Sequence, residues 1–252
     1  MLSNNLNFWG AVVLAAGQGK RLGCVDTPKV MCLIGGQPIV SYTVATLKDL
    51  GFSPEQICLV VGFAKEKVRD YFGAGVSYVY QAEQLGTAHA AYLGVQSLPL
   101  EIKQALIMGG DDSAFYIPKT LTDFREAHEK SGAKISVLTT RVTDPSRLGR
   151  IIRDDAGKCV AILEKEQISP EQASINEVNT GTYCVDRVWY EALFPTMSKV
   201  EKLGEYGLNR AVEMALEQGQ MINVVEMERP EEWFGVNTPE ELVEADRRKS
   251  NV

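Results

Sequence analysis

Leu14-Ala-Ala-Gly-Gln-Gly-Lys-Arg-Leu22, closed by Pro28-Lys29, decides how the rest of the chain is read. The run before it, Gly10-Ala-Val-Val-Leu14, is short and apolar, as a buried strand is. A strand that ends in a glycine turn exposes backbone N–H groups at the C-terminal edge of its sheet. Those groups make a concave donor surface for phosphate oxygens. Gly17 and Gly19 supply the surface, and Lys20, Arg21 and Lys29 neutralise a triphosphate from the side. Pro28 fixes its own φ and biases Thr27 to an extended conformation. Lys29 is thereby held on a stiff segment facing back toward the loop.

Two better-known glycine motifs fail here. The dinucleotide fingerprint needs a third glycine where this chain has Leu22. The Walker loop needs a hydroxyl residue after Gly19-Lys20, and Arg21 stands there.

Outward from the loop, apolar runs alternate with amphipathic segments. Strands are expected at 10–15, 57–61, 76–80 and 105–109, and helices at 39–50, 65–72, 87–97 and 118–131. Gly51, Gly73 and Gly132 stop three of these helices. Farther on, strand-like runs fall at 134–141, 149–153, 158–164, 181–186, 221–227 and 233–236. Helical periodicity falls at 187–194, 206–218 and 239–248. Asp154-Asp-Ala-Gly157 reads as the turn of a projecting β-hairpin. Continuous apolar strands separated by helices give an α/β fold: a Rossmann-like, mixed, mostly parallel sheet flanked by helices. One domain of two halves is expected, 8–117 for the nucleotide and 118–252, which ends in a C-terminal helix.

The whole chain agrees. Its 252 residues are 45% apolar and 23% charged, with a formal net charge of -7. An acidic surface argues against nucleic acid as a partner. No run approaches the ~20 apolar residues that span a bilayer. No signal peptide opens the chain, so membranes are not expected as partners and a cytoplasmic location is. The five cysteines are scattered and the two histidines isolated, which excludes a disulfide framework or a soft-metal centre.

Three further stretches carry chemistry. Gln81-Ala-Glu-Gln-Leu-Gly-Thr-Ala-His-Ala90 joins a strand to a helix. Thr87 is placed to cap that helix, and Gly86 to let a ligand approach the backbone. Gly109-Gly-Asp-Asp-Ser113 ends a strand beside the phosphate loop, where Asp111 suits Mg²⁺ held mostly by water and phosphate. Thr238-Pro-Glu-Glu241 is a capping box, so the amide oxygen of Asn237 is left free for a metal.

The loop and Pro28-Lys29 resemble the signature of sugar-1-phosphate nucleotidyltransferases. Residues 81–90 resemble the uridine-reading loop of bacterial N-acetylglucosamine-1-phosphate uridylyltransferases. The resemblance runs from about residue 10 to residue 245. It implies the nucleotide-diphospho-sugar transferase fold with a small β-hairpin sugar lobe. It also implies transfer from UTP to N-acetylglucosamine-1-phosphate with Mg²⁺ as cofactor and small-molecule substrates as partners. Glucose-1-phosphate uridylyl- or thymidylyltransfer is the alternative, and a non-catalytic nucleotide-sugar regulator a further one.

By that resemblance Leu14, Ala15, Ala16, Gly17, Gly19, Lys20, Gln81, Gly86, Thr87 and Gly110 hold the nucleotide. Arg21, Lys29 and Asp111 are catalytic, and Asp111 and Asn237 bind the metal. Leu148-Gly-Arg-Ile-Ile-Arg153 resembles the family's sugar hairpin. Gly149, Glu164 and Asn179 then map to sugar contacts. Gly109, Asp112-Ser113 and Leu208-Asn-Arg210 depart from the family pattern on the sugar side. No hexapeptide repeat is present, so no acetyl transfer is expected.

Overall fold

A computed structural model describes residues 6–19, 22–23, 26–200 and 204–250. In chain order the strands are β1 (Trp9–Ala15), β2 (Leu33–Ile34), β3 (Gln37–Pro38), β4 (Ile57–Val61), β5 (Ser77–Tyr80) and β6 (Gln104–Gly109). They continue with β7 (Ile135–Arg141), β8 (Arg150–Arg153), β9 (Cys159–Leu163), β10 (Glu177–Asp186) and β11 (Ile222–Glu226). The helices are α1 (Ile39–Leu50), α2 (Lys65–Phe72), α3 (Thr87–Ser97), α4 (Pro118–Ser131), α5 (Arg187–Leu193), α6 (Asn209–Glu217) and α7 (Pro239–Ser250).

The main sheet runs β11-β7-β10-β6-β1-β4-β5. Pairings β1–β4, β1–β6, β4–β5 and β11–β7 are parallel, while β10 runs antiparallel to β6 and β7. The sheet is therefore mixed and mostly parallel, as expected. β1 and β4 are buried on both faces, and the two-residue period divides them between two cores. Ala11, Val13, Ala15, Leu59 and Val61 pack under α1 and α4, and Val12, Cys58 and Val60 pack under α3. A third cluster, with Ile34, Val236 and Ala245, seats α7 across the small β2–β3 hairpin.

Gly51 and Gly132 end α1 and α4 in the left-handed conformation, as their positions predict. The β8–β9 turn is built as expected. Asp154 Oδ1 accepts from the Ala156 and Lys158 amides, and Gly157 takes φ +78°. Arg153 then grips the buried Glu177 of β10 in a bidentate pair at 2.6 and 2.8 Å, which fastens the hairpin to the sheet. Burial alone would raise the Glu177 carboxyl; Arg153 and Thr139 outweigh it and hold the group below its ordinary value.

Three expectations are corrected. Residues 233–236 form no strand. Pro230 opens a short 3₁₀ turn, and the segment after it crosses the sheet's edge on single bonds. Among them are Trp233 Nε1 to the Thr180 carbonyl at 3.0 Å and the Val236 amide to the Asp111 carbonyl at 3.1 Å. The strand expected at 181–186 starts earlier, at Glu177, because a bulge at Thr180-Gly181 interrupts its apolar alternation. The α6 helix starts at Asn209 rather than residue 206, since Tyr206 is held in the loop by backbone bonds to Leu85 and Ala88.

Candidate active site

A cleft of about 750 Å³ opens at the C-terminal ends of β1 and β6, where an open α/β sheet places its ligands. Of the residues singled out from sequence, Leu14, Thr87, Asp111, Gly149, Glu164, Asn179 and Asn237 all line it. They come from six separate parts of the chain.

The floor is a charged cluster. Pro28 (φ -57°) leads into a 3₁₀ turn at Lys29–Met31. A Cβ on Gly19, which has φ +69°, would fall 2.6 Å from the Cβ of Lys29. Only glycine lets the loop and the Pro28-Lys29 segment pack so closely. The Lys29 ammonium bonds Asp111 Oδ2 and donates to Asn237 Oδ1 at 2.8 Å. Asn237 is thus not free, as the sequence suggested; its amide oxygen already takes a cation.

Lys29 also tests whether a metal suits these residues. The ammonium shows that one positive charge fits between the two oxygens. Two oxygen donors suit a hard divalent cation that keeps most of its water or takes phosphate oxygens. Among the described residues no three His, Cys, Asp or Glu side chains converge as a metal cage.

The capping box below Asn237 is formed. Glu241 accepts from the Thr238 amide at 3.0 Å, and Thr238 Oγ1 accepts from the Glu241 amide at 3.3 Å. Glu241 also takes the Asn237 amide at 2.6 Å, which fixes the asparagine's direction. Gly110 supports the floor from below: its amide donates to the Leu14 carbonyl at 3.0 Å.

Along the loop that follows β1, Ala15 and Ala16 are buried and Gly17 is exposed. Gln84 reaches the Ala16 carbonyl at 2.8 Å and ties this loop to the 81–87 loop. Lys20 and Arg21 lie outside the described residues. Thr87 is not the cap of α3. It is the first helical residue after Gly86 (φ +111°), and its hydroxyl accepts from the Leu208 amide at 3.0 Å. A Cβ on Gly86 would meet the Tyr206 carbonyl at 2.5 Å, so the close approach Gly86 permits is made by the chain itself. Gln81 is buried beneath this turn, donating to the Gly86 carbonyl at 3.1 Å and lying 3.2 Å from His89 Nδ1.

The opposite wall is a chain of polar groups. At the β10 bulge Asn179 pairs with Thr139 and Thr182 with Leu138, so two residues are looped out between them. The looped-out residues are Thr180 and Gly181, and Asn179 is the last residue paired with β7 before them. Its Oδ1 accepts the Gly181 amide at 2.9 Å, and its Nδ2 donates to Asn209 Oδ1 and Tyr183 Oη, each at 2.5 Å. Tyr183 donates to Asn209 Oδ1 at 2.6 Å, and Asn209 donates to Glu164 Oε1 at 2.5 Å. Burial pushes the Tyr183 phenol well above its ordinary value, so it stays a neutral donor.

Asn209 and Tyr183 were not singled out from sequence as site residues. Asn209 entered only within Leu208-Asn-Arg210, as a departure from the family pattern on the sugar side, and Tyr183 only within the strand expected at 181–186. The usable signal was Tyr183's polar tip, because a buried tyrosine hydroxyl needs a partner. Asp112 also lines the cleft. Burial first and the Asp111 carboxylate second raise its acid well above the ordinary value.

The matches with known proteins agree with this geometry. Residues 10–251 match the family model described as Nucleotidyl transferase. The bifunctional protein GlmU of Heliobacterium modesticaldum is 36% identical over 236 residues, 94% of this chain and 51% of that protein. GlmU of Caldanaerobacter subterraneus is also 36% identical, over 94% of this chain and 50% of its own length. The chain spans about half the length of these curated relatives. A crystal structure from Bacillus anthracis, described as a glucose-1-phosphate thymidylyltransferase in complex with sucrose, superposes with a TM-score of 0.75. It covers 97% of this chain and 96% of its own at 22% identity, which is a likeness of fold. A glycine loop, a charged floor and a polar wall around one cleft, in a chain whose residues 10–251 match the family model, lead to one conclusion: this chain belongs to the nucleotidyl transferase family.

Proposed function

We propose that the chain transfers a nucleotidyl group from UTP to N-acetylglucosamine-1-phosphate, giving the nucleotide sugar and pyrophosphate. The observation that carries this reading is the cluster of Lys29, Asp111 and Asn237 on the floor of a cleft whose other wall is the Glu164–Asn209–Asn179 chain. One side offers positive charge and backbone donors for phosphate. The other offers amide and carboxylate groups for sugar hydroxyls.

A sugar phosphate is already anionic, so its oxygen attacks the α-phosphorus without a general base. Catalysis is then positioning and charge neutralisation. In this reading Gly17 and Gly19 amides, Lys20 and Arg21 hold the triphosphate, and Lys29 neutralises charge between the two substrates. Gln81, Gly86 and Thr87 frame the uracil. Gly149, Glu164 and Asn179 orient the sugar. Asp111 and Asn237 would hold Mg²⁺, which supplies charge that lets two phosphates approach.

A grid of four NTPs against several sugar-1-phosphates with Mg²⁺, read by pyrophosphate release, tests the proposal. UTP with N-acetylglucosamine-1-phosphate should give the highest kcat/KM. Turnover only with glucose-1-phosphate would replace the sugar, and a preference for TTP would replace the base. Binding of a nucleotide sugar with no turnover on any pair would make the chain a sensor.

A further inference from the structure

Lys29, Asp111 and Asn237 stand on three separate loops, and all three loops root in one small apolar cluster. Cys32 lies three residues after Lys29, Ala114 three after Asp111, and Val236 directly before Asn237. Each is buried in that cluster together with Ala245 of α7. The Val236 amide also donates to the Asp111 carbonyl at 3.1 Å.

Helix α7 grips the same segments from both of its ends. At its start, Glu241 takes the Asn237 amide at 2.6 Å. In its last turn two cations lie over aromatic rings. The Arg248 guanidinium is 4.2 Å from the centre of the Phe234 ring, in the segment that leads to Asn237. The Lys249 ammonium is 4.5 Å from the centre of the Phe115 ring, in the loop that follows Asp111, and 4.1 Å from that of Tyr42 in α1. Phe115 and Phe234 meet edge to face at 6.0 Å.

Lys249 is the informative residue. An apolar side chain would fill its half-buried place without desolvating a charge. Burial pulls its ammonium below the ordinary value, and no carboxylate opposes that. The acceptors nearby are engaged elsewhere. Asp246 takes the Gly35 amide at 2.8 Å, Glu244 takes Arg247 and Arg248, and the Tyr42 hydroxyl donates to the Ile34 carbonyl at 2.8 Å. What the Lys249 charge meets is the faces of two rings, an attraction that strengthens as water is excluded.

We propose that Arg248 and Lys249 are positioning residues for the reaction: the last turn of α7 clasps Phe234 and Phe115, and so sets where Asn237 and Asp111 stand relative to Lys29. The proposal rests on the nucleotidyl-transfer reading, which puts the chemistry on that floor. A small displacement of groups that align two substrates costs rate far more than it costs stability.

The test uses the full chain with Lys249→Met and Arg248→Met, which keep an apolar stem and remove the cation, and Lys249→Arg, which keeps one. With the best pair of substrates, kcat of each methionine variant should fall about 3- to 30-fold, the rate equivalent of one partly desolvated cation–π contact. KM for the sugar phosphate should stay within about twofold, since Glu164, Asn179 and Asn209 hang from other elements. Lys249→Arg should recover most of the loss. In the substrate-free chain, the backbone amide resonances of Asp111 and Asn237 should move in both methionine variants, while that of Asn209 stays in place.

A lowered denaturant midpoint with unchanged kcat in both methionine variants would make the clasp merely structural and overturn the proposal. So would unmoved Asp111 and Asn237 resonances, or a Lys249→Arg no better than Lys249→Met. Should Lys249→Met fail to fold, Arg248→Met carries the same comparison with Lys249 still over its rings. Failure of wild type to release pyrophosphate with any pair overturns the nucleotidyl-transfer reading itself, and the resonances then still decide whether the last turn of α7 holds Asp111 and Asn237.

Discussion

At the residue scale, the proposed reaction separates charge neutralisation from sugar orientation within the cleft, and the two should fail differently. Asp111 is held by Lys29 on the floor, so Asp111→Ala removes an anchor for positive charge between two anionic substrates. Its turnover should fall ~10²–10³-fold, the scale of one lost electrostatic contact in a desolvated site. Arg21→Ala should lose as much. Near-normal pyrophosphate release by either folded variant would remove the residue from the mechanism. Asn209 sits in the wall and bonds Glu164, Asn179 and Tyr183. Asn209→Ala should raise KM for the sugar phosphate by ~2–10-fold, as one or two neutral hydrogen bonds would, and leave KM for the NTP unchanged. An effect confined to the NTP would place Asn209 on the wrong side of the cleft. The floor was legible in part: Lys29 follows Pro28 and Asp111 follows Gly110 just past β6, whereas Asn237 follows no strand and was found through the capping box beside it. The wall was less so. Asn179 was found through its resemblance, but its direction depends on a bulge that no alternation of apolar residues announces.

At the scale of elements, the helix and strand limits were legible wherever glycine or proline punctuates the chain. The expected helices at 39–50, 65–72, 87–97 and 118–131 coincide with α1 to α4. Where punctuation was absent or misleading, long-range contacts decided. The apolar run at 233–236 has strand composition, yet it docks by single bonds to Thr180 and Asp111 rather than joining the sheet. The packing of α3 shows how tightly an element can be specified by one glycine. A Cβ on Gly94 would lie 2.3 Å from Val12 Cγ1 and 3.0 Å from Val60 Cγ2. Both valines are short, β-branched and fully buried on central strands, so neither can swing aside. Gly94→Ala gains ~1 kcal/mol of helix propensity and loses ~1–3 kcal/mol to overpacking. The expected result is a net loss of stability in denaturant unfolding. A stabilised variant would mean that α3 can lift from the sheet at little cost.

At the scale of the whole molecule, the α4 side of the sheet contains a titratable group that the cleft does not use. His128 lies on α4, is 2% exposed, and joins two strands at once: Nδ1 is 2.7 Å from Ser136 Oγ in β7, and Nε2 is 3.0 Å from Gln104 Oε1 in β6. A neutral ring with its proton on Nε2 satisfies both partners, the serine hydroxyl donating to Nδ1. Burial lowers the imidazole from 6.5 to about 4, against a smaller opposing pull from Asp186. Between these two values the unfolded chain binds a proton that the folded chain does not, so stability must rise with pH across that window. The His128 contribution is therefore complete above pH 6.5 and is lost as pH falls toward 4. At 1.36 kcal/mol per pH unit the full span is worth about 3 kcal/mol. Denaturant unfolding of the wild-type chain from pH 7.5 to pH 4.5 should lose about 2–3 kcal/mol from this residue alone. His128→Asn keeps a polar side chain but cannot titrate, so its stability should change less across that interval, whatever its absolute value. Glu177, held below its ordinary range by Arg153 and Thr139, adds its own loss at more acidic pH, where both proteins share it. Parallel pH profiles for wild type and His128→Asn above pH 4.5 would show that the folded ring takes up its proton at the same pH as the unfolded one, and would remove the burial effect on His128.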